Sequence, residues 1–522
     1  MTNLRPTHSS PAWSLRVTAS LIASATGLGV LLRFLTFAHR EAFWSDEAAL
    51  GLNIVERGFG ELGRPFLHAQ VAPYLFLAGQ KLVSLVAGTS EAALRSWSLV
   101  SGILLLPVLF ALARRLGGGL CALIALAAAA TGELLVYYSS ELKPYGSDAL
   151  WSALLLWFCV AALTAERAQR RRPLLRLAAA GVIGLWLSLP AVFILAASGV
   201  ALAVTYVQER ERSFREWALL AAVGGSWLLS FGLHYLGFLR MTPADADFMQ
   251  RYWTALDGFV PRPLLSLHAL HWLLAKFFYM FAVVVAAVGN GQRYIAGALW
   301  LFGLWLLAKR QRGLLCLFVL PIALLFVASA ARAYVVADRL VLFLTPLLLI
   351  PCALALARIA SLKPPVSRWA VLAVVAASCG AHVIADLDAL RRPPLETDIR
   401  SLVAYLSERV DARDRLCVED RVAWIYEYYA HRSGVWQPFV VVEALAEDPA
   451  LPRAEIAKLA GAPRVWAVVP SLGPRGPLHA EGVAPILLAE QRILAALSEL
   501  GHRLDMYDGS NVKLYLYDLS KK

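Results

Sequence analysis

Runs of about twenty apolar residues, recurring from residue 17 to residue 386 and parted by short clusters of arginine and lysine, constrain this 522-residue chain more than any other feature. A membrane-crossing helix needs roughly 20 mostly apolar residues. Runs of that kind lie near 17–37, 92–113, 118–136, 146–165, 174–190, 191–207, 217–238, 292–308, 313–330, 338–358 and 369–386. The composition agrees: 59% of residues are hydrophobic, 16% are charged, and the mean hydropathy is +0.60, too apolar for a soluble globular chain. A polytopic α-helical membrane protein is the expected class. The net charge of +12 sits largely in the breaks, as "RAQRRRP" (167–173), "RERSFRE" (210–216), "KRQRG" (309–313) and "RIASLKPPVSR" (358–368). That placement follows the positive-inside rule for cytoplasmic loops and points away from nucleic acid.

A further apolar stretch at 270–289 decides the topology. If it spans, "KRQRG" and the basic loop near 360 fall outside the cell; if it is re-entrant or interfacial, every basic loop is cytoplasmic. The second arrangement is adopted. It gives about eleven spans (range 10–13), with the N-terminus inside, the C-terminus outside and the first span retained, because no small-residue cleavage site follows it. Residues 1–386 are then the transmembrane domain, with loops 38–91, 137–145, 239–291 and 331–338 facing outward. Beyond "RRPPLETDIR" charge density rises, and helix-period and strand-period segments alternate, so 387–522 is expected to be an extracytoplasmic α/β domain, a cap or acceptor-recognition module. Five cysteines lie in apolar runs and Cys417 outside them, with no disulfide framework or metal-ligand spacing.

The outward loops hold the candidate chemistry. In "FWSDEAAL" (43–50) Ser45 is a candidate N-cap, which places Asp46 and Glu47 in a first helical turn, where the dipole favours carboxylates. Pro73 opens a second segment, in which Lys81 is either a snorkelling side chain or a phosphate contact. "VYYSSELKPYGSDAL" (136–150) packs Glu141, Lys143, Tyr145 and Asp148 between two spans, and "ARAYVVADRL" (331–340) sets Tyr334, Asp338 and Arg339 at the mouth of another. Ionisable residues so placed are costly and functional by default. One carboxylate with several cations suits transfer of a sugar from a polyprenyl phosphate. The acceptor hydroxyl needs one general base, and the departing phosphate needs cations rather than an acid. A glycosidase would need two carboxyls facing each other across the scissile bond, and sequence neighbours on a helix point in different directions.

Five ordered motifs, "WSDEA", "QVAPYLF", "SEAALRSWSLVSG", "YYSSELKPY" and "AYVVADRLVLFLTP", resemble those of the GT-C-fold glycosyltransferases. The resembling branch comprises bacterial relatives of the dolichyl-phosphate-mannose protein mannosyltransferases and of the aminoarabinose and galacturonic acid transferases that modify lipid A. The resemblance implies inverting transfer at the outer face of a bacterial cytoplasmic membrane, to a glycolipid, glycan or protein hydroxyl. It implies Asp46 as the base or acceptor-binding acid, with Glu47 its neighbour in the catalytic set, and Lys143 and Arg339 as donor-phosphate ligands; Lys81 joins them as a candidate from its place in the loop. Glu141, Tyr145, Gln70 and Tyr334 are expected to line the substrate pocket. Metal dependence varies across the fold, which leaves a divalent cation open, although no His/Cys cluster suggests zinc. Two alternatives remain: a transporter or flippase for a lipid-linked sugar, which should show two repeated halves, and a non-catalytic GT-C-like assembly protein.

Overall fold

The computed structural model describes residues 15–39, 42–66, 70–241, 246–284, 291–362, 366–391, 399–446, 448, 450–471, 483–509 and 511–520. "RRPPLETDIR" lies mostly outside them. Among the described residues nine helices are long and apolar enough to cross a membrane: Arg16–His39, Glu91–Thr131, Tyr145–Leu163, Ala191–Gln208, Phe214–Met241, Leu267–Val284, Arg312–Ala330, Asp338–Ala360 and Val366–Arg391. Glu91–Thr131 covers two expected runs, because the chain breaks at Gly118, where φ is 78° and ψ is −169°. Glycine takes that conformation without a Cβ penalty. The second half then returns alongside the first: a Cβ on Gly29 would meet both Leu106 and Ala130, and one on Gly102 would meet Ser139. Two expected spans fall short by length or composition. Arg171–Leu187 has 17 residues, and Gln292–Arg310 carries Arg293, Lys309 and Arg310.

The bundle has two chemically different ends. At one, Arg310 donates to the Leu116 carbonyl, Gln311 to the Leu163 carbonyl and Thr205 Oγ1 at 3.3 and 3.0 Å, and Arg115 to Thr164 Oγ1 at 2.9 Å. Arg170 grips Glu209 there with two bonds of 2.9 and 2.8 Å. The Tyr145–Leu163 helix, whose 19 residues rise about 28 Å, leads from this basic end to the other, where Asp46, Lys143 and Arg339 meet.

The helix Leu267–Val284 qualifies by length and composition as a span, unlike the interfacial element expected at 270–289. It packs against the Gln292–Arg310 helix through Phe277, Phe281 and Trp300, and residues near both of its ends make contacts at the Asp46 end. Near its start Trp272 donates to the Asp257 carbonyl at 3.2 Å, and Lys276 lies 3.4 Å from the Asp257 carboxylate. Its last turn lines a cavity of about 280 Å³ with Gly132, Glu133, Asp338 and His382.

The C-terminal unit is a five-stranded sheet of order β2-β1-β3-β5-β4, with β1 Arg415–Glu419, β2 Phe439–Val442, β3 Val465–Pro470, β4 His502–Asp508 and β5 Val512–Asp518. β1 runs parallel to β2 and β3, while β5 is antiparallel to β3 and β4. Side chains alternate across it as strand geometry requires. Cys417, Val465, Ala467 and Tyr515 pack under the Val483–Leu500 helix. Leu416, Val418, Trp466 and Leu514 belong to a core that continues through helices Ile399–Ser407 and Asp420–Arg432 into Phe43, Leu50 and Ile54 of the first loop.

Candidate active site

The first-loop helix is Ser45–Val55, one residue earlier at its cap than the sequence suggested. Trp44, extended at φ −81° and ψ 171°, is the cap and makes no side-chain cap bond, so Ser45 is helical rather than N-cap. Asp46 and Glu47 do fall in the first turn, beside the unpaired N–H groups and the positive end of the dipole. Successive residues on a helix point about 100° apart. That rotation separates the two acids into different environments.

Asp46 faces a cluster of two cations and an amide. Arg339 Nη2 approaches its Oδ2 at 2.9 Å and Lys143 Nζ at 3.6 Å, and Gln70 Nε2 donates to Oδ1 at 3.4 Å. Lys143 also donates to Gln70 Oε1 at 2.6 Å, so the amide bridges acid and base. Burial alone would raise the Asp46 carboxyl. Lys143 and Arg339, with the Gln70 hydrogen bond, outweigh it and hold the group below its ordinary value. Burial pulls the Lys143 ammonium below its own ordinary value, with Asp46 opposing and Arg339 reinforcing the fall. The Asp46 side chain keeps 23% of its exposure, whereas Lys143 keeps 6%, so the carboxylate is the member of the pair open to a substrate.

Arg339 is held by aromatic groups. Its Nε donates to the Tyr145 hydroxyl at 3.2 Å, and its guanidinium lies 5.3 Å from the Trp44 ring and 5.9 Å from the Trp253 ring. Tyr334 stands back from the cluster: its hydroxyl donates to the Leu340 carbonyl at 3.0 Å, and its ring packs on Phe193 and Phe343. It pins the backbone that follows Arg339 rather than lining the pocket. Glu141 is fully buried, and its carbonyl accepts the Lys143 N–H at 2.8 Å. Its place is in the turn that aims Lys143.

Two further expectations, Glu47 and Lys81, need correction. Glu47 is fully buried. Its Oε1 accepts from Arg95 Nε at 2.8 Å and from the Leu142 N–H at 2.6 Å, and its Oε2 from Arg95 Nη2 at 2.6 Å. A carboxylate so occupied ties three chain segments together and is closed to substrate. Lys81 is likewise no phosphate ligand. Its ammonium is buried and donates to the Val55 carbonyl at 2.9 Å, neutralising the negative C-terminal end of the Asp46 helix.

The sequence reading gave no role to Trp44, Arg95 or Trp253. Trp44 and Arg95 stand inside quoted motifs, and a Trp beside an acid was the available signal. The Trp44 indole N–H is buried without a partner among the described residues, a donor left over for a ligand. Among the described residues no three His, Cys, Asp or Glu side chains converge on one point. With Lys143 and Arg339 both on Asp46 Oδ2, the cluster presents cations beside a single carboxylate rather than a set of metal-ligating oxygens.

No family model matches the sequence, and no curated protein does. Solved structures do match. ArnT from Cupriavidus metallidurans, bound to undecaprenyl phosphate, superposes with a TM-score of 0.59 at 15% identity, over 96% of this chain and 98% of that chain. Its apo state gives 0.60 over the same shares. The oligosaccharyltransferase AglB from Archaeoglobus fulgidus, in complex with an inhibitory peptide and a dolichol-phosphate, gives 0.55 at 13% identity, over 97% of this chain and 74% of that one. The fold is the GT-C fold. The GT-C bundle and its C-terminal sheet domain therefore extend over nearly the whole chain, as its five motifs implied, and the chain is a polytopic membrane protein.

Proposed function

We propose that this GT-C protein is an inverting glycosyltransferase that moves a sugar, a hexosyl or pentosyl unit, from a polyprenyl phosphate to an acceptor hydroxyl. The observation that carries the proposal is the Asp46 carboxylate held between Lys143 and Arg339. The fold it shares with ArnT, solved with undecaprenyl phosphate, and with AglB, solved with a dolichol-phosphate, supports a lipid-phosphate donor. The donor phosphate takes Lys143 and Arg339 as ligands, and the Trp44 N–H is free to bond a phosphate or sugar oxygen. As the cations turn to the phosphate, Asp46 loses the charges that hold it low and becomes a stronger base. The acceptor oxygen attacks the anomeric carbon, its proton passes to Asp46, and the bond from that carbon to the phosphate oxygen breaks with its electron pair on the phosphate. The charge that grows there meets Lys143 and Arg339.

A groove of about 530 Å³ beside the site, lined by Gln250, Arg251, Thr254, Ala255, Arg262 and Arg332, supports an anionic acceptor. The Ala246–Ala255 helix carries Trp253 toward Arg339 and Arg251 toward that groove. We place the protein in a bacterial cytoplasmic membrane, with loops 38–91, 137–145, 239–291 and 331–338 and the C-terminal domain outside. This agrees with the basic clusters gathering at the opposite end of the bundle.

The test is transfer by the purified chain in detergent from a defined polyprenyl-phosphate sugar. Asp46→Asn keeps size and polarity and removes proton acceptance, so turnover should fall by about 10²-fold or more with donor KM little changed. Near-normal turnover in that variant would remove Asp46 from the mechanism.

A further inference from the structure

Four contacts join Tyr428 and Tyr429 of the C-terminal domain to the first loop, two of them at Phe43, three residues ahead of Asp46, and the other two at Thr89 and Glu91. The Tyr429 hydroxyl accepts the Phe43 N–H at 2.7 Å and donates to Glu91 Oε1 at 2.8 Å. The Tyr428 ring lies 5.1 Å from the Phe43 ring, and the Tyr428 hydroxyl donates to the Thr89 carbonyl at 2.9 Å. The other side of Phe43 meets the Arg95 guanidinium at 4.8 Å, the same guanidinium that grips Glu47 and donates to the Ala42 carbonyl at 3.2 Å. Gly51 lets the two helices approach this closely, since a Cβ there would stand 2.9 Å from the Tyr428 ring.

We propose that the C-terminal domain is a positioning element for the active site, acting through Tyr429 and Tyr428 on the Phe43–Trp44 entry to the Asp46 helix. The inference rests on the glycosyltransferase reading of that site. Phe43 is buried completely, and its N–H lies just outside the Ser45–Val55 helix, so it depends on the tyrosine hydroxyl for its bond. Trp44 follows directly, and its ring faces Arg339. A shift of Phe43 therefore moves the Trp44 face of Arg339 and the first turn that aims Asp46. Glu91 carries the same constraint into the bundle. It is the first residue of the helix that bears Arg95 one turn on, and Arg432 and Arg400 of the C-terminal domain approach it at 3.5 and 3.9 Å. Arg95 fixes Glu47, whose Oε1 also takes the Leu142 N–H, immediately before Lys143. The C-terminal domain thus bears on the base and on both proposed phosphate ligands without touching any of them.

Tyr429→Phe keeps the ring and removes the hydroxyl. Misplacing a catalytic group by about 1 Å can cost on the order of 10²-fold, and kcat is expected to fall at least about tenfold, by more than donor KM rises. Asp46 is held low by Lys143 and Arg339, with Gln70 bonded to it and Glu47, Glu141 and Tyr145 around the cluster. Loosening those contacts moves the acid limb of the kcat/KM profile to higher pH, which a mere loss of folded protein does not do. Tyr405→Phe, in the same domain but stacked on Tyr507 with its hydroxyl on Asp505, should leave kcat and the limb unchanged. Should Tyr429→Phe not fold, Glu91→Leu removes the hydroxyl's acceptor from the bundle side and should show the same split. Unchanged kcat per folded molecule and an unmoved limb in the folded variants would overturn the proposal. An inactive parent chain would instead count against the glycosyltransferase reading.

Discussion

Two cations, Lys143 and Arg339, approach the same Asp46 oxygen, Oδ2, so its protonation answers to the loss of either one. A base works above its own pKa, and the Asp46 carboxyl lies below its ordinary value because Lys143 and Arg339 outweigh burial. Lys143→Gln removes one of those charges and leaves the burial, so the carboxyl rises and the acid limb of kcat/KM moves to higher pH. A limb that stayed in place would mean that Asp46 does not set it. The same sign governs stability: a lowered carboxyl stabilises the fold above the ordinary carboxylate range, and that contribution is lost as pH falls through the folded value. Lys143→Gln and Arg339→Gln should each weaken donor binding and turnover together, and the double variant should lose less than the sum if both serve one phosphate. Fully additive losses would separate them. The members of this cluster were legible in the sequence because charged residues at the ends of apolar runs stand out. Glu47 and Lys81 stood out for the same reason and were misassigned. Burial that turns an acid into a tie or a lysine into a helix-end contact leaves no mark on residue type.

The Glu47–Arg95 pair belongs to the scale of elements, since it fastens the Asp46 helix to the Glu91–Thr131 helix and to the turn before Lys143. Both side chains are almost wholly buried, at 0% and 1% exposure. Removing one partner leaves an uncompensated buried charge, so Arg95→Met should destabilise the folded state by about 3–5 kcal/mol. Thermal unfolding in detergent measures it, and a midpoint equal to the parent's would show the pair to be dispensable. Elements with a clear period were readable. "VKLYLYDL" alternates and forms β5, and "VAWIYEYYAHRS" has the helical period of Asp420–Arg432. β4, "HRLDMYD", passed unread because it is an edge strand with nearly every residue exposed, and an edge strand owes its place to backbone pairing with β5 rather than to an apolar pattern. The docking of the Asp420–Arg432 helix on the Asp46 helix was equally hidden, since its tyrosines look alike in sequence whether they face the sheet or the first loop.

At the scale of the whole molecule, the proposed topology draws on the contacts of the basic clusters and of the Leu267–Val284 helix. Arg310 and Gln311 reach the ends of three other helices, at Leu116, Leu163 and Thr205, all remote from Asp46. Gln292–Arg310 starts beside Leu267–Val284, with Phe278 against Tyr294 and Phe277 against Trp300, and it ends among those basic residues. Hydropathy alone left 270–289 undecided, because an apolar helix along an interface and one that spans share the same composition. Its neighbours at Asp257, Glu133, Asp338 and His382 are far apart in the chain, so sequence alone does not display them. If every basic cluster faces the cytoplasm, a cysteine at Arg312, an exposed position, is shielded in intact cells from a membrane-impermeant thiol reagent. One at Gln292 reacts. Permeabilised cells should label both, which controls for burial. Labelling at Arg312 from outside would put the basic end on the outer face, and the candidate site around Asp46 would then belong on the cytoplasmic side.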